Sequence, residues 1–474
     1  MLVSLFLAAL LAPVSSARAP APAAAPRLRA DDALVKARAE LVQGLLALAV
    51  WANKSELFLQ RDKLWRAVIG IEPDNTQARK GLRCTRDGAG HWKDPPVHDL
   101  KDRKPAALPE FARRRSEVVA AWRKEVLAQL ETEKADAAQR EKACADLLEL
   151  DPEDEIVHGL RGEVHVGKDW RLAEAMSAEA RRTELETCAR AARDAAPAAE
   201  STTPSAQDLA YLPAWKFARV GDGIRILSQT GEDEARALGS AGHAALALLQ
   251  EVCGKPLVPS PGFSLYVLAD ESDGDAFVKN VAESTAEDHR IWRLAPGFGI
   301  PRRAAVAVWD KDPRRRLDCF TRHLVANCLF TGYGVDARQG WVLDGLGLYL
   351  TQRLAGTHAT WFRPDRNDED LALRKRLATE DCDWLAQARE LVHDRHAPKL
   401  DVVVQRPLAE LRLEELLLAY AFAAYLAEGQ PKALPEILDR MGRGGAPTDT
   451  IAAVTGRSFA EVEARFLRWL AEVH

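Results

Sequence analysis

One pattern occurs twice in the first half of this chain, and it restricts the fold more than any other feature. Glu72-Pro73-Asp74 is followed by Gly81-Leu82-Arg83, eight further residues and Trp92. Asp151-Pro152-Glu153 is followed by Gly159-Leu160-Arg161, eight further residues and Trp170. Gly81 and Gly159, like Trp92 and Trp170, are 78 residues apart, with one residue missing from the second copy between proline and glycine. Long stretches precede both copies, from Asp31 to Ile71 and from Glu110 to Leu150, in which apolar residues recur every three or four positions. That spacing is one face of an α-helix. Proline in a first helical turn sacrifices no needed hydrogen bond, and carboxylates beside it are expected to face the positive end of the helix dipole. The two tryptophans are expected to plug grooves between helices.

Residues 33–195 are therefore expected to form two helical repeats, 33–105 and 106–195, which resemble tetratricopeptide repeats in character while matching that consensus poorly. Stacked helical units often hold a partner on a concave face, the alternative being a plain helical spacer. Glu200 to Asp208 (ESTTPSAQD) is polar and turn-rich, which predicts a linker over 196–212. Beyond it, Gly223–Ser228, Gly262–Leu268 and Ala304–Trp309 read as strands, and Asp233–Cys253 between the first two reads as a helix. From Arg314 onward the pattern is almost wholly helical. Residues 213–474 are thus expected to be a second domain, giving an α+β, predominantly helical chain with a small sheet.

Composition narrows the function classes. With 47% hydrophobic and 28% charged residues, the chain is an ordinary globular one and not a disordered polymer. The 65 Lys+Arg against 70 Asp+Glu leave a formal charge of −5, which offers no electrostatic footprint for nucleic acid. Arg113–Arg115 and Arg314–Arg316 are short clusters among acids and read as solvated helix faces. Leu2 to Ala12 is an apolar run closed by Pro13, with small residues Ser15, Ala17 and Ala19 behind it, as in a secretory signal peptide. Residues 1–19 are therefore expected to be a signal peptide and 20–32 an Ala/Pro-rich linker. Export to the periplasm or outside follows, with no integral membrane segment, because a span needs about 20 apolar residues. The seven cysteines contain no CxxC pair, and Cys319 and Cys328, nine apart on one helix, are separated by about 13 Å along its axis, too far for a bridge. They are expected to be small buried hydrophobes.

The segment from Asp318 to Gly356 carries what chemistry there is. His323 and Asn327 are four apart on an apolar helix, and Trp341-Val-Leu-Asp344-Gly345-Leu-Gly347-Leu-Tyr349 follows a Gly-rich turn. A helix bearing His, a loop and then an acid on a second helix is the frame of a thermolysin-type zinc site, H-E-x-x-H with a downstream acid. From about Trp215 to its end the chain resembles the peptidase MA-like members of the gluzincin clan. Trp341, Val342, Asp344, Gly345 and Tyr349 fall in order on that family's W-L-x-E-G-x-A-x-Y pattern, and Gly456-Arg-Ser458-Phe459 with Trp469-Leu470 matches its closing helix.

The resemblance implies that His323 stands at the first zinc ligand, Leu324 at the catalytic Glu, Asn327 at the second His and Asp344 at the third ligand. Leucine cannot accept a proton from water, and an amide oxygen is a poor zinc donor. Losing a general base alone costs about 10²–10⁴-fold in rate. The chain is therefore expected to be a non-catalytic pseudo-peptidase, with His323, Leu324, Asn327, Asp344 and Tyr349 vestigial, no cofactor, and a peptide or protein partner held by the cleft or the repeats. In the simplest structural reading His323 is a core histidine bonded to Asn327 or Asp344, and Asp344 caps the second helix. His393 and His396, three apart on an expected helix, are expected to be solvated. Two alternatives stand. One is an active zinc metallopeptidase that uses His323, Asp344 and a distant histidine among His358, His393 and His396; the other is a structural envelope component.

Overall fold

A computed structural model describes residues 25–93, 100–132, 135, 137–198, 200–281, 285, 286, 289, 297–300, 303–356, 371–379, 382–394 and 396–473. The expected signal peptide and His358 lie outside them. The chain divides into two compact units, the first of residues up to 135 with 139–157, the second of 136–138 with the residues from 158.

In the first unit the repeated sequence becomes a repeated order of elements. Helices α1 (Ala25–Lys54), α2 (Phe58–Ile71) and α3 (Thr76–Gly81) are followed by α4 (Leu108–Thr132), α5 (Ala137–Leu150) and α6 (Glu155–Arg161). α1 starts inside the segment expected to be linker. Leu45, Ala49, Val68, Phe111, Val119 and Leu147 share one core, so α1, α2, α4 and α5 bury their apolar faces together. The residue after each acidic-Pro-acidic triplet is the helix cap: Asn75 accepts from the Ala78 amide at 3.0 Å, and Asp154 from the Ile156 and Val157 amides at 3.1 and 3.2 Å.

Two expectations are corrected here. Asp151, fully buried, does not face a helix dipole; it accepts from Arg115 Nε at 3.0 Å and from Ser116 Oγ, tying α4 to the α5–α6 turn. The tryptophans plug no groove either. Trp92 is half-buried under the guanidinium groups of Arg79 and Arg86, 5.6 and 4.5 Å from the ring, and pairs with Arg86 in an isolated antiparallel bridge. Trp170 lies on a hairpin, β1 (Glu163–Val166) with β2 (Asp169–Leu172), stacked on His158 at 3.9 Å and edge-on to His165 at 5.0 Å. A chain reversal holds each ring, and a cation or an imidazole covers its face.

The second unit begins with the residues from His158, so the end of the second expected repeat packs here. α7 (Ala173–Asp194) contributes Ala178, Leu185 and Ala189 to its main core. The sheet has six strands in the order β3-β4-β5-β6-β8-β7: β3 (Glu200–Ser201), β4 (Phe217–Gly221), β5 (Ile224–Ser228), β6 (Ser264–Val267), β7 (Gly297–Gly299) and β8 (Ala305–Val308). β5, β6 and β8 run parallel and the remaining pairs antiparallel. Alternate residues feed two cores. Ile226, Leu265, Val267 and Val306 meet α9 (Glu232–Cys253) and α11 (Pro313–Tyr333) on one face. Leu227, Tyr266 and Ala307 meet α8 (Ala206–Tyr211) and α10 (Glu271–Asn280) on the other. Burial on both faces explains strands such as Ala305–Val308 with no polar residue. From α11 onward the described residues contain helices and turns alone: the unit is α+β and predominantly helical.

Asp151 has a measurable consequence. Asp151→Ala leaves Arg115 without its carboxylate and is expected to cost about 3 kcal/mol. Asp74→Ala in the first copy, at an exposed position, is expected to stay within about 0.5 kcal/mol. Urea denaturation of the two variants compares them.

Candidate functional site

α11 is set by its ends. Asp312 accepts from the Arg314 amide at 2.9 Å, Pro313 opens the first turn, and Gly334 closes the helix at φ +79°. Phe320, Leu324, Val325, Cys328 and Leu329 face the core. The residues Cys319, His323 and Asn327, spaced by four, form a second line along the helix.

β7 crosses beside that line, and only glycine lets it come so close. A side-chain carbon at Gly299 would lie 3.1 Å from Cδ2 and 3.4 Å from Nε2 of His323. One at Gly297 would lie 2.9 Å from Cys319 Sγ and 2.3 Å from the Ala307 carbonyl oxygen. The His323 Nδ1–H donates to the Cys319 carbonyl oxygen at 2.8 Å, so the neutral ring carries its lone pair on Nε2, against β7. Burial lowers the pKa of His323, the bond to Cys319 opposes that shift, and the Arg322 charge adds to it. Burial pushes the Cys319 thiol up to about 12, which makes it a packing group and not a nucleophile.

The other positions of the resemblance are each engaged elsewhere. Leu324 is fully buried in the core. The Asn327 side chain accepts from the Ser260 amide at 2.7 Å and donates to Ser260 Oγ at 3.1 Å, fastening α11 to the turn before β6. Asp344 lies in a π-helical turn, Trp341–Leu346, and forms an ion pair with Arg322. His323 is thus bonded to its own helix and not to Asn327 or Asp344, and Asp344 caps no helix. The physical reason is the same in both cases: a nearer partner, a carbonyl one turn back or an arginine one residue before the histidine, takes the polar atom first. The π-helical turn is held by Gly345, where a side-chain carbon would lie 2.6 Å from the Ala419 carbonyl oxygen.

Tyr349 leads to a cluster that the sequence reading missed. Fully buried at the start of α12 (Gly347–Ala355), its hydroxyl donates to Glu428 Oε1 at 2.9 Å. Glu428 is itself fully buried, in a second π-helical turn, Tyr425–Gly429, that continues α16 (Leu413–Ala424). Arg182 of α7 grips both its oxygens, at 3.1 and 2.8 Å. Arg353, one turn beyond Tyr349, stands 3.6 Å from Glu428 and donates to Glu186 of α7 at 2.5 Å. Burial and then the Glu428 charge hold the Tyr349 hydroxyl far above its ordinary pKa. The only signal in the sequence is an acid at the end of the apolar run Leu416–Ala427.

Among the described residues, His393 and His396 do not complete a metal shell. His393 and His396 lie past the end of α14 (Trp384–Val392), not on a helix, and both are exposed. Among the described residues no group of three or more His, Cys, Asp or Glu side chains could hold a metal ion. A zinc ion does not fit the donor set at α11: Nε2 of His323 faces a strand, Asn327 and Asp344 are bonded to other groups, and Leu324 offers no base. All seven cysteines are free; Cys144, Cys253, Cys319 and Cys328 are buried, and Cys84, Cys188 and Cys382 are half-buried. No described helix is long and apolar enough to cross a membrane. No family model, no curated protein and no solved structure matches the chain.

Two outcomes follow. A histidine whose native pKa is depressed contributes stability that is complete above its unfolded pKa of about 6.5 and is lost as pH falls. Wild type should therefore lose more stability between pH 7 and 5 than His323→Gln, read as urea midpoints across that range. Removing the carboxylate of Glu428 leaves two arginines without their buried counter-charge, so Glu428→Gln should cost about 3 kcal/mol. The same substitution at Glu414, which makes no ion pair, should be near neutral in the same urea series.

Proposed function

We propose that the chain is an exported, non-catalytic protein built on a degenerate gluzincin-like domain, and that it binds polypeptide without cleaving it. The observation that carries this reading is that all four positions assigned to metal and base are committed to structural work. His323 is bonded to Cys319, Leu324 lies in the core, Asn327 holds Ser260 and Asp344 holds Arg322. None is left to activate water. Two features support a binding role. β7 is the terminal strand of the sheet in the observed order, and a sheet edge can accept an extended peptide through main-chain hydrogen bonds. The twice-occurring helical unit supplies a surface of the type that holds extended partners.

The test uses the intact chain and fluorescein-labelled, unfolded casein. Anisotropy should rise with a micromolar dissociation constant, mass spectrometry after prolonged incubation should find no fragments, and EDTA should change neither result. Fragments that vanish with chelation and in His323→Ala would establish the zinc metallopeptidase alternative instead. Absence of any anisotropy change would remove polypeptide binding and leave a structural role.

A further inference from the structure

Away from α11, the second unit contains a pocket of about 600 Å³. It is framed by α13 (Leu371–Leu377), α14, Asp394 with His396, Pro398 and Lys399, α15 (Leu400–Val403) and the first turn of α16. Small-molecule sites span about 300–1,000 Å³, so its size suits a short peptide. Its lining is unusual for such a site. Leu373, Leu391 and Val402 supply apolar surface, while three cations, Arg376, Lys399 and Arg412, share the pocket with the carboxylates Glu390, Asp394, Glu414 and Glu415.

These opposite charges do not neutralise one another. Elsewhere in the unit, neighbouring charges close into pairs, such as Arg225 with Asp208 at 2.6 Å and Arg316 with Glu234 at 2.6 Å. Among the described residues Arg376, Lys399 and Arg412 form no ion pair, and neither do Glu390, Asp394 and Glu414. Glu415 is buried and held by Arg406 at 3.3 Å and by the Arg412 amide at 3.0 Å, and Glu390 accepts from Gln387 Nε2 at 3.5 Å. The Asp394 carboxylate is oriented by the His396 amide at 2.8 Å. Both signs thus line one cavity without an ion pair between them. An ion of one sign would meet repulsion from the like-charged residues of the lining. A ligand carrying both signs, spaced along its length, would satisfy each set and release the water that solvates them.

We infer that this pocket binds short zwitterionic peptides. The C-terminal carboxylate or an acidic side chain lies on Arg376, Lys399 and Arg412; the α-ammonium or a lysine lies on Glu390, Asp394 and Glu414; aliphatic side chains between them contact Leu373, Leu391 and Val402. The inference rests on the polypeptide-binding reading and names the chemistry that reading would select. Guanidinium groups suit a carboxylate because two of their N–H donors match its two oxygens.

Isothermal titration calorimetry of the full chain tests it, with the tetrapeptide Lys-Leu-Leu-Glu as probe and unfolded casein as the general ligand. Wild type should bind the tetrapeptide, more weakly as salt is raised. The double variant Lys399→Ala, Arg412→Ala and the double variant Glu390→Gln, Glu414→Gln should each raise its dissociation constant at least tenfold. None of these side chains lies in the core, and matching circular-dichroism melts verify folding. An acetylated, amidated glutamine analogue, Gln-Leu-Leu-Gln, should not bind. Unchanged tetrapeptide affinity in both double variants, or casein binding without tetrapeptide binding, would overturn the pocket and leave the polypeptide reading in place. A wild type that binds neither ligand would overturn both.

Discussion

Glu428 carries a full carboxylate in a place with no access to water, and much of the second unit is arranged around that fact. An isolated buried charge is costly enough that it must be paired and hydrogen-bonded on several sides. Arg182 provides a two-oxygen grip, Tyr349 donates a hydroxyl and Arg353 stands close with its charge. The three partners come from two helices. Arg182 belongs to α7, which precedes the sheet in sequence, while Tyr349 and Arg353 follow α11. Satisfying one carboxylate therefore fixes α7, α12 and the end of α16 against each other, and Arg353 with Glu186 closes the ring back onto α7. This explains why α7 belongs to the second unit although its sequence continues the helical repeat. The two π-helical turns serve the same arrangement: one carries Glu428, and the other rests its Gly345 on the backbone of α16.

The face of α11 shows a second form of mutual accommodation. A carboxylate such as Asp344, only 5% exposed, needs a cation whether or not a metal is present, and Arg322 supplies one from the adjacent helix. Asn327 is suited to Ser260 because an amide offers an acceptor and a donor to one residue at once. A neutral imidazole could offer the same two roles only from atoms on opposite sides of its ring. Leu324 packs where a glutamate would have to be buried. Asn327, Asp344 and Leu324 are thus each matched by a bond or a contact made within the protein.

How much of this was legible in the sequence depends on the range of the interaction. Elements governed by local periodicity were readable: β5, β6, β8 and α9 follow from alternation and three-four spacing, and the helical pattern from Arg314 onward begins with α11. The α+β class follows from their order. The sequence reading did not find β3 and β7, because a two- or three-residue strand such as Gly297–Gly299 has no period to detect and is defined by its neighbour's backbone, nor did it find the five-residue β4. The tryptophans were visible as a repeat, yet what covers their rings is set by hairpins whose turns carry weak signals. At the candidate site, residue identities were legible and partners were not. The Cys319 carbonyl, one turn from His323, is available in any helix. The Glu428 partners lie 79 and 246 residues away, and no single-sequence pattern connects such positions.

These two arrangements bear on where a function can reside. A domain that depends on a metal couples its folding to metal binding, because the unfolded chain holds no preformed site and the binding free energy becomes folding free energy. Here Asn327, Asp344 and Nδ1 of His323 at α11 are bonded to protein groups, and the buried carboxylate of Glu428 is held likewise. In the pocket between α13 and α16, by contrast, three cations and three carboxylates form no ion pair among the described residues. Groups already paired in a core contribute stability, and they can contribute affinity only by breaking those pairs. Groups left solvated, in a cavity of defined shape, lose only water on binding. On that physical ground the surface formed by α13 to α16 is better placed to recognise a peptide than the line from Cys319 to Asn327.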